Sequence, residues 1–289
     1  MNPDIVSTPF PIPVVNALGP GSQSAEAPDF VPMPHGMDTY APPPLPEPEV
    51  LAGHPDCVGV LRAALEALRG VRIDGPTAVI ALDALGEGDR ALLNQVLGEG
   101  DVAAPVLGRD AVRVQESVFT GVWRVVHLRD GAATRDTLEV GAIPQCLVDT
   151  AGDDDAAEER AADAEDETLM NAPAILAELR DRQRRWRPGL PPHVVNLTLL
   201  PLSSGDAEHL NEQLGSGRVV VLSRGYGNCR IASTRLPRIW RVTYFNSTDL
   251  VILDTLEVSL VPEVACAAAE DLEDSAERLA EVLDWVQQG

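Results

Sequence analysis

The sequence predicts an α+β protein built from an internally duplicated unit, and three observations lead to this prediction. Short apolar runs rich in β-branched residues are interspersed with helical patterns. Several blocks of sequence occur twice, so that Trp123 and Trp240 are 117 residues apart. Each copy has the order helix, strand, short helix and antiparallel strand meander. We therefore expect two similar lobes with a pseudo-twofold relation and helices on one sheet face.

The repeated blocks keep a nearly constant spacing. They are "LNQVLGEGDV" (93–102) with "LNEQLGSGRV" (210–219), "VWRVV" (122–126) with "IWRVT" (239–243), and "DTLEV" at both 136–140 and 254–258. The spacing changes only from 117 residues at the tryptophans to 118 at Asp136 and Asp254. A spacing kept over several blocks indicates duplication of one ancestral unit.

Each predicted element follows from its local pattern. The first helices are "DCVGVLRAALEALR" (56–69) and "ILAELRDRQRR" (175–185), and the first strands are "TAVIALDAL" (77–85) and "VVNLTLLPL" (194–202). Short helices follow at 88–100 and 205–217, where Asp89 and Asp206 can cap the N-terminus or complement its dipole, and glycines end the helix. The second meander is "RVVVLSR", "NCRIAST", "IWRVTYF" and "LVILDTLEVSLV".

Composition changes mark the domain boundaries. Residues 1–50 are rich in proline and predict an extended arm, residues 51–150 form the first repeat, and residues 169–289 form the second. Residues 151–168 predict an acidic linker, because nine of the fifteen residues 153–167 are acidic. The second repeat ends in an amphipathic helix with Leu272, Leu279 and Val286 seven residues apart.

The charge and the residue usage exclude several classes of function. A formal net charge of −23 repels phosphate backbones, so we expect no nucleic-acid partner. The 22 basic residues are all arginine, which excludes a lysine Schiff base and the lysine of a P-loop. No apolar run is long enough to span a bilayer and no basic leader is present, so we expect a cytoplasmic protein without membrane insertion.

Neither a metal site nor a catalytic constellation is predicted. The four cysteines and five histidines are scattered, without a CxxC pair, so we expect no metal and no cofactor. The glycines of "LGEG" and "LGSG" end helices instead of opening them, unlike those of phosphate loops. Asp254 and Glu257 point to opposite strand faces, which favours an exposed polar face over a carboxylate pair. We therefore predict that the protein is not an enzyme.

Two stretches are candidates for binding a partner. The turn "GYGNCR" differs from the corresponding part of the first copy, which predicts a partner-facing turn with Gly225, Tyr226, Gly227, Cys229 and Arg230. Arg230 could lower the pKa of the neighbouring Cys229, although a strand cysteine is more often a buried apolar residue, and Val112 is its counterpart. The second candidate is "ELRDRQRRWRPG", which gathers arginines beside a tryptophan: Arg180, Arg182, Arg184, Arg185, Arg187 and Trp186. It can dock an acidic peptide, stabilise a helix C-terminus or pair with the acidic linker.

The chain resembles a known protein family over nearly its whole length. The stretches that carry the resemblance are "GPGSQ" (19–23), "LNEQLGSG" (210–217), "GYGNCRIASTRLPRIWRVTYFN" (225–246), "ILDTLEVSLVPEV" (252–264) and "AAEDLEDSAERLAEVLDW" (268–285). Together they are similar to the HupH/HyaF/HoxQ family of hydrogenase expression/formation proteins. The acidic linker is not part of that resemblance.

The resemblance implies a role in the maturation of membrane-bound uptake [NiFe]-hydrogenases. We expect a non-catalytic assembly chaperone that binds the precursor of the small, iron–sulfur subunit before its export, alongside a thioredoxin-like maturation companion. The alternative is a redox or iron–sulfur cofactor-handling factor that uses Cys229. A rubredoxin-like electron carrier is disfavoured because CxxC pairs are absent.

Overall fold

Helices and strands cover most of the chain that the structure describes. This computed structural model describes residues 45–73, 75–152, 169–224 and 227–288. The first half contains helices α1 (Pro48–Ala52), α2 (Pro55–Gly70), α3 (Glu87–Leu97) and α4 (Gln145–Gly152) and strands β1 (Ala78–Ala81), β2 (Val102–Ala103), β3 (Val112–Glu116), β4 (Val122–Arg129) and β5 (Ala132–Val140). The second half contains α5 (Ala172–Arg185), α6 (Ser204–Leu214) and α7 (Ala269–Gln288) and β6 (His193–Asn196), β7 (Val220–Ser223), β8 (Asn228–Ser233), β9 (Ile239–Phe245) and β10 (Val251–Val258). The predicted α+β class is confirmed.

All ten strands belong to one sheet, which joins the two predicted units. The order across the sheet is β1-β5-β4-β3-β2-β7-β8-β9-β10-β6, and neighbouring strands are antiparallel. Each half has the same strand order from its outer edge to the centre of the sheet: the first strand of that half, then its fifth, fourth, third and second. The two halves meet where Val102 and Ala103 of β2 pair with Ser223 and Leu222 of β7.

The strands bury one set of side chains on each face of the sheet, because successive residues of a strand point to opposite sides. Val122 packs in a cluster with α2, α3 and α7, and Ile239 packs in a separate cluster with α5 and α6. The next residues, Trp123 and Trp240, share a third cluster that spans both halves. Helix α4 packs into this third cluster, so the expectation that all helices lie on one face is wrong for α4.

Asp206 and Asp89 each join one helix to another, and Asp206 also caps its own helix. The Asp206 carboxylate forms a capping box with Ser203 at the start of α6, and it also accepts hydrogen bonds from the backbone N–H groups of Met170, Asn171 and Ala172 at the start of α5. Burial opposes its ionisation, but these hydrogen bonds outweigh that effect and hold the pKa of Asp206 below its usual range. Asp89 likewise accepts from Cys57 N at the start of α2.

Helix α7 follows the second half in sequence but packs on the first. Its buried residues Leu272, Leu279, Leu283 and Val286 belong to the cluster that contains the leucines of α2. Burying a leucine-sized side chain contributes about 1.5–3 kcal/mol, so this contact is a large part of the first half's core. Helix α7 therefore completes the core of the first half.

The predicted domain boundaries shift by a few residues. Helix α1 begins at Pro48, so the last three residues of the predicted extended arm are helical, with proline at the start of the helix, where its missing N–H is not needed. Helix α4 includes Ala151 and Gly152 of the predicted linker. Residues 1–44 of the arm and residues 153–168 of the linker lie outside the described residues.

The described helices carry no candidate membrane span. Within residues 45–73, 75–152, 169–224 and 227–288, none combines the length and the apolar character that crossing a bilayer requires.

Candidate functional site

The predicted glycine turn leads into β8. Gly225 and Tyr226 lie outside the described residues. Gly227 has a φ of +98°, in the left-handed region that glycine adopts without strain. Cys229 and Arg230 are consecutive on β8 and therefore point to opposite faces of the sheet.

Cys229 is a buried, protonated thiol. It is 2% exposed and packs in the cluster that contains both buried tryptophans. Burial raises the pKa of Cys229 to about 11, although its hydrogen bond with Tyr244 acts in the opposite direction. The idea that Arg230 lowers the pKa of Cys229 is wrong, because the arginine side chain projects from the opposite face of the sheet. Val112, the residue at the corresponding place on β3, is buried as well.

Arg230 lies in a polar part of the sheet's other face. It pairs in register with Leu222 on β7 and with Thr243 on β9, which in turn lies opposite Asp254. Burial lowers the pKa of Arg230, and the nearby Arg241 guanidinium lowers it further.

The second predicted candidate is the C-terminal turn of α5. Arg182, Arg184 and Arg185 are exposed, and Arg185 forms an i,i+4 ion pair with Asp181. Trp186 is half-buried and packs against the core of the second half. Cations at a helix C-terminus are stabilised by the helix dipole, which accounts for part of this arrangement.

The tertiary structure enlarges this basic surface. Arg238, in the turn between β8 and β9, stacks on Trp186 with its guanidinium carbon 4.8 Å from the ring centre. The side chain of Gln183 donates to the carbonyl of Pro237, which fixes α5 to the same turn. We call the resulting surface the arginine end; its arginines are Arg180, Arg182, Arg184, Arg185, Arg187, Arg235 and Arg238.

Sequence reasoning missed two of the seven arginines of the arginine end. Arg235 and Arg238 are about 50 residues from α5 in the sequence, and only the packing of α5 on the turn brings them close. The signal that could have found them is the contrast with the first half, where Val118 and Gly121 stand at the corresponding places.

The structure does not bring the two predicted candidates together. The glycine turn precedes the first residue of β8, whereas Arg235 and Arg238 follow its last residue. A six-residue strand spans about 20 Å at roughly 3.3 Å per residue, so the two surfaces lie at opposite ends of the strand.

The other cysteines are also protonated thiols. Burial raises the pKa of Cys57 to about 11, that of Cys146 to about 12 and that of Cys266 to about 11. All four cysteines are free, and the residues that the structure describes contain no cluster of histidine, cysteine and carboxylate side chains that could hold a metal ion. Deprotonating any of these thiols for ligation or nucleophilic attack is therefore costly at neutral pH.

The repeated carboxylates point to opposite strand faces, as predicted, but in the first half they are buried. Asp136 and Glu139 are 6% and 5% exposed, so an exposed polar face is the wrong description. Asp136 forms a two-bond ion pair with Arg124, with Nη2 to Oδ2 at 2.6 Å, and Glu139 accepts from the backbone of Gln145. Burial is tolerated because each carboxylate has a partner.

The same arrangement of three side chains occurs once in each half. An arginine on the middle strand of the meander holds an aspartate of the last strand and an asparagine of the short helix. The two sets are Arg124 with Asp136 and Asn94, and Arg241 with Asp254 and Asn211. These polar contacts hold helix and sheet together, so they are structural.

A protein-family model matches the chain twice. The model for the C-terminal conserved region of the HupH hydrogenase expression protein matches residues 57–167 and again residues 169–286. The two matches together cover most of the chain.

Relatives are similar over nearly the whole length. A hydrogenase expression/formation protein HoxQ of Cupriavidus necator is 53% identical over 96% of this chain and 98% of its own length. A hydrogenase expression/formation protein HupH of Rhodobacter capsulatus is 42% identical over 96% and 98%. A hydrogenase-1 operon protein HyaF of Escherichia coli is 31% identical over 93% and 95%.

Proposed function

Because the chain belongs to the HupH family of hydrogenase expression/formation proteins, we propose that it is a non-catalytic assembly chaperone for a membrane-bound uptake [NiFe]-hydrogenase. It binds the precursor of the small, iron–sulfur subunit in the cytoplasm, before export. The observation that carries the proposal is 53% identity to a hydrogenase expression/formation protein over 96% of the chain. The raised pKa values of the cysteines support a binding role over a redox one.

We propose that the partner contacts the two predicted surfaces. One is the glycine turn that leads into β8, without the buried Cys229, and the other is the arginine end with Trp186. Arginine and tryptophan are enriched among residues that dominate binding energies. Since these surfaces lie at opposite ends of β8, a partner that contacts both must extend along the sheet.

We also propose that the two halves are copies of one unit related by a pseudo-twofold axis. The symmetric strand order, the two arginine–aspartate–asparagine sets and the two matches of one family model support this idea. An experimental structure in which β1–β5 did not superpose on β6–β10 would contradict it.

Purification from hydrogenase-producing cells under anaerobic conditions tests the proposed function. We expect mass spectrometry of the co-eluting chains to find the small-subunit precursor with its signal peptide still attached, together with a thioredoxin-like companion. Stoichiometric iron on the isolated chain without the precursor would refute the chaperone role and favour cofactor handling.

A cysteine variant separates the two functions. We expect Cys229→Val to retain capture of the precursor and hydrogenase maturation, because valine is buried at the corresponding position 112 and the two side chains are similar in size. Loss of maturation in a Cys229→Val protein that still folds and still captures the precursor would instead favour a redox or iron–sulfur role for the thiol.

A further inference from the structure

The two halves present the same turn with different surroundings. The turn between β3 and β4 is closed by Ser117, whose Oγ donates to the carbonyl of Phe119 and accepts from its N–H. The turn between β8 and β9 is closed in the same way by Thr234 and Leu236. The two turns are therefore equivalent in backbone, and differences in their side chains can be compared directly.

In the first half, helix α7 covers the turn. Gly121 leaves the space that Leu272 of α7 fills, since a Cβ at Gly121 would lie 2.1 Å from Leu272 Cδ2. Arg278 of α7 reaches over the ring of Phe119, at 5.5 Å from its centre. The covering helix is strongly acidic, with seven carboxylates and one arginine among residues 269–288.

In the second half, arginines occupy the turn positions that correspond to those covered by α7 in the first half. Arg238 replaces Gly121 and stacks on Trp186, while Arg235 replaces Val118. The surface is open to solvent, because Arg182, Arg184, Arg187 and Arg235 are exposed. Several of these guanidinium groups are already held in place: Arg187 donates to the carbonyls of Arg184 and Trp186, and Arg235 donates to the carbonyl of Glu212.

The charge of this surface selects the chemistry of its partner. Seven of the 22 arginines of a chain with a net charge of −23 converge at this end. Guanidinium groups bind carboxylates through paired hydrogen bonds, and pre-positioned side chains lose less entropy on binding. A long polyanion such as RNA would meet repulsion from the rest of the molecule, whereas a short acidic peptide stays within the basic surface.

We propose that the arginine end is a docking site for a short acidic segment of a partner polypeptide, which covers this turn as acidic α7 covers its counterpart. Carboxylates of the segment bind Arg182, Arg184 and Arg235, and an apolar side chain packs beside Trp186. The inference deepens the proposed function and rests on it for the identity of the partner as the hydrogenase precursor.

Fluorescence anisotropy with labelled 15-residue peptides tests the proposal on the full-length protein. The acidic probe repeats Glu-Glu-Ala, and the neutral probe repeats Gln-Gln-Ala. We expect the acidic probe alone to bind. In the double variant Arg182→Glu/Arg184→Glu its affinity should fall by at least about tenfold. Arg62→Glu/Arg113→Glu is the matched control: it reverses two other exposed arginines, changes the net charge equally, and should weaken binding less than about twofold.

Three outcomes would overturn the inference. They are equal binding of both peptides, equal loss in both double variants, and tighter binding of a single-stranded RNA 15-mer than of the acidic peptide. A fourth outcome would show that the docked acidic segment belongs to this chain and not to a partner. In that case the acidic probe binds only after the nine acidic residues of 153–167 are changed to asparagine or glutamine.

Precursor capture separates this inference from the proposed function. If the wild-type protein captures no precursor, the proposed function fails. If it captures the precursor and Arg182→Glu/Arg184→Glu captures it equally well, the proposed function stands and the docking site is refuted.

Discussion

Glu116 is a buried carboxyl group at the end of β3. It is 5% exposed, and its side chain accepts a hydrogen bond from the backbone N–H of Gly121. Burial raises the pKa of Glu116 to about 7. The hydrogen bond from Gly121 opposes this shift, and the carboxylates of Asp101 and Asp271 add to it. Because the unfolded chain has an ordinary glutamate, folding takes up a proton at this site between about pH 4.5 and pH 7.

Stability should therefore fall as the pH rises through this window. The contribution of Glu116 is fully present below about pH 4.5 and is lost above about pH 7, a change on the order of 3 kcal/mol. We expect Glu116→Gln, which keeps an acceptor for Gly121, to remove this part of the pH dependence and to be more stable than wild type at pH 8. Urea unfolding at pH 5 and pH 8 measures it, with exposed Glu277→Gln as the control. A wild-type difference that Glu116→Gln leaves unchanged would contradict the assignment.

Arg124 shows why single residues were only partly predictable. The repeat "DTLEV" and strand alternation place Asp136 and Glu139 on opposite faces. Their burial depends on partners far away in the sequence, since Arg124 is 12 residues and Asn94 is 42 residues from Asp136. The local pattern therefore predicts the face of the strand on which a side chain lies. Whether a buried charge has a partner depends on the tertiary structure.

At the scale of elements, the docking of α7 depends on the missing side chain of Gly121. Its φ is +83°, and an added Cβ would overlap Leu272 of α7. Gly131 has a nearly identical φ of +84° with no atom near an added Cβ. Substitutions at these two glycines therefore distinguish the cost of backbone strain from the cost of disturbed helix packing.

We expect Gly121→Ala to destabilise the protein by about 2–5 kcal/mol, combining left-handed strain with overpacking against α7. Gly131→Ala should cost only the strain, about 1–2 kcal/mol. In a Leu272→Ala background, Gly121→Ala should cost less by at least about 1 kcal/mol, because the overlapping methyl group is gone. Chemical denaturation of the wild type, the three single variants and the double variant measures these differences. Equal costs for both glycines would show that α7 does not press on this turn.

The elements themselves were largely predictable, but their assembly was not. Apolar periodicity located both sets of strands and the amphipathic α7, because these patterns are local. It could not predict that α7 packs on the first half, because an apolar helix face does not specify which surface it packs against. It also could not find the junction of the two halves, because β2 contains only Val102 and Ala103. Likewise, the arginines of α5 were visible as a run, whereas Arg235 and Arg238 joined them only through packing.

At the scale of the whole molecule, the charge is unevenly distributed. The net charge is −23, yet seven arginines converge at the arginine end. Like charges spread over the rest of the surface repel one another in the folded state, whereas the arginine end attracts acidic ligands. Salt screens both interactions, so the same ions should act on folding and on binding in opposite directions.

We expect sodium chloride to raise the thermal midpoint of the protein while weakening its binding of the acidic peptide. Screening lengths fall from about 30 Å at 0.01 M to about 8 Å at 0.15 M. Self-repulsion in the folded chain therefore decreases over this range, and the midpoint should rise by several degrees, on the order of ΔΔG of 1 kcal/mol. Calorimetry and peptide anisotropy over the same salt series measure the two effects. A midpoint that falls with salt would mean that attractive ion pairs outweigh the net charge. A peptide affinity that does not change would mean that the peptide is held by apolar contacts and that the guanidinium groups contribute little.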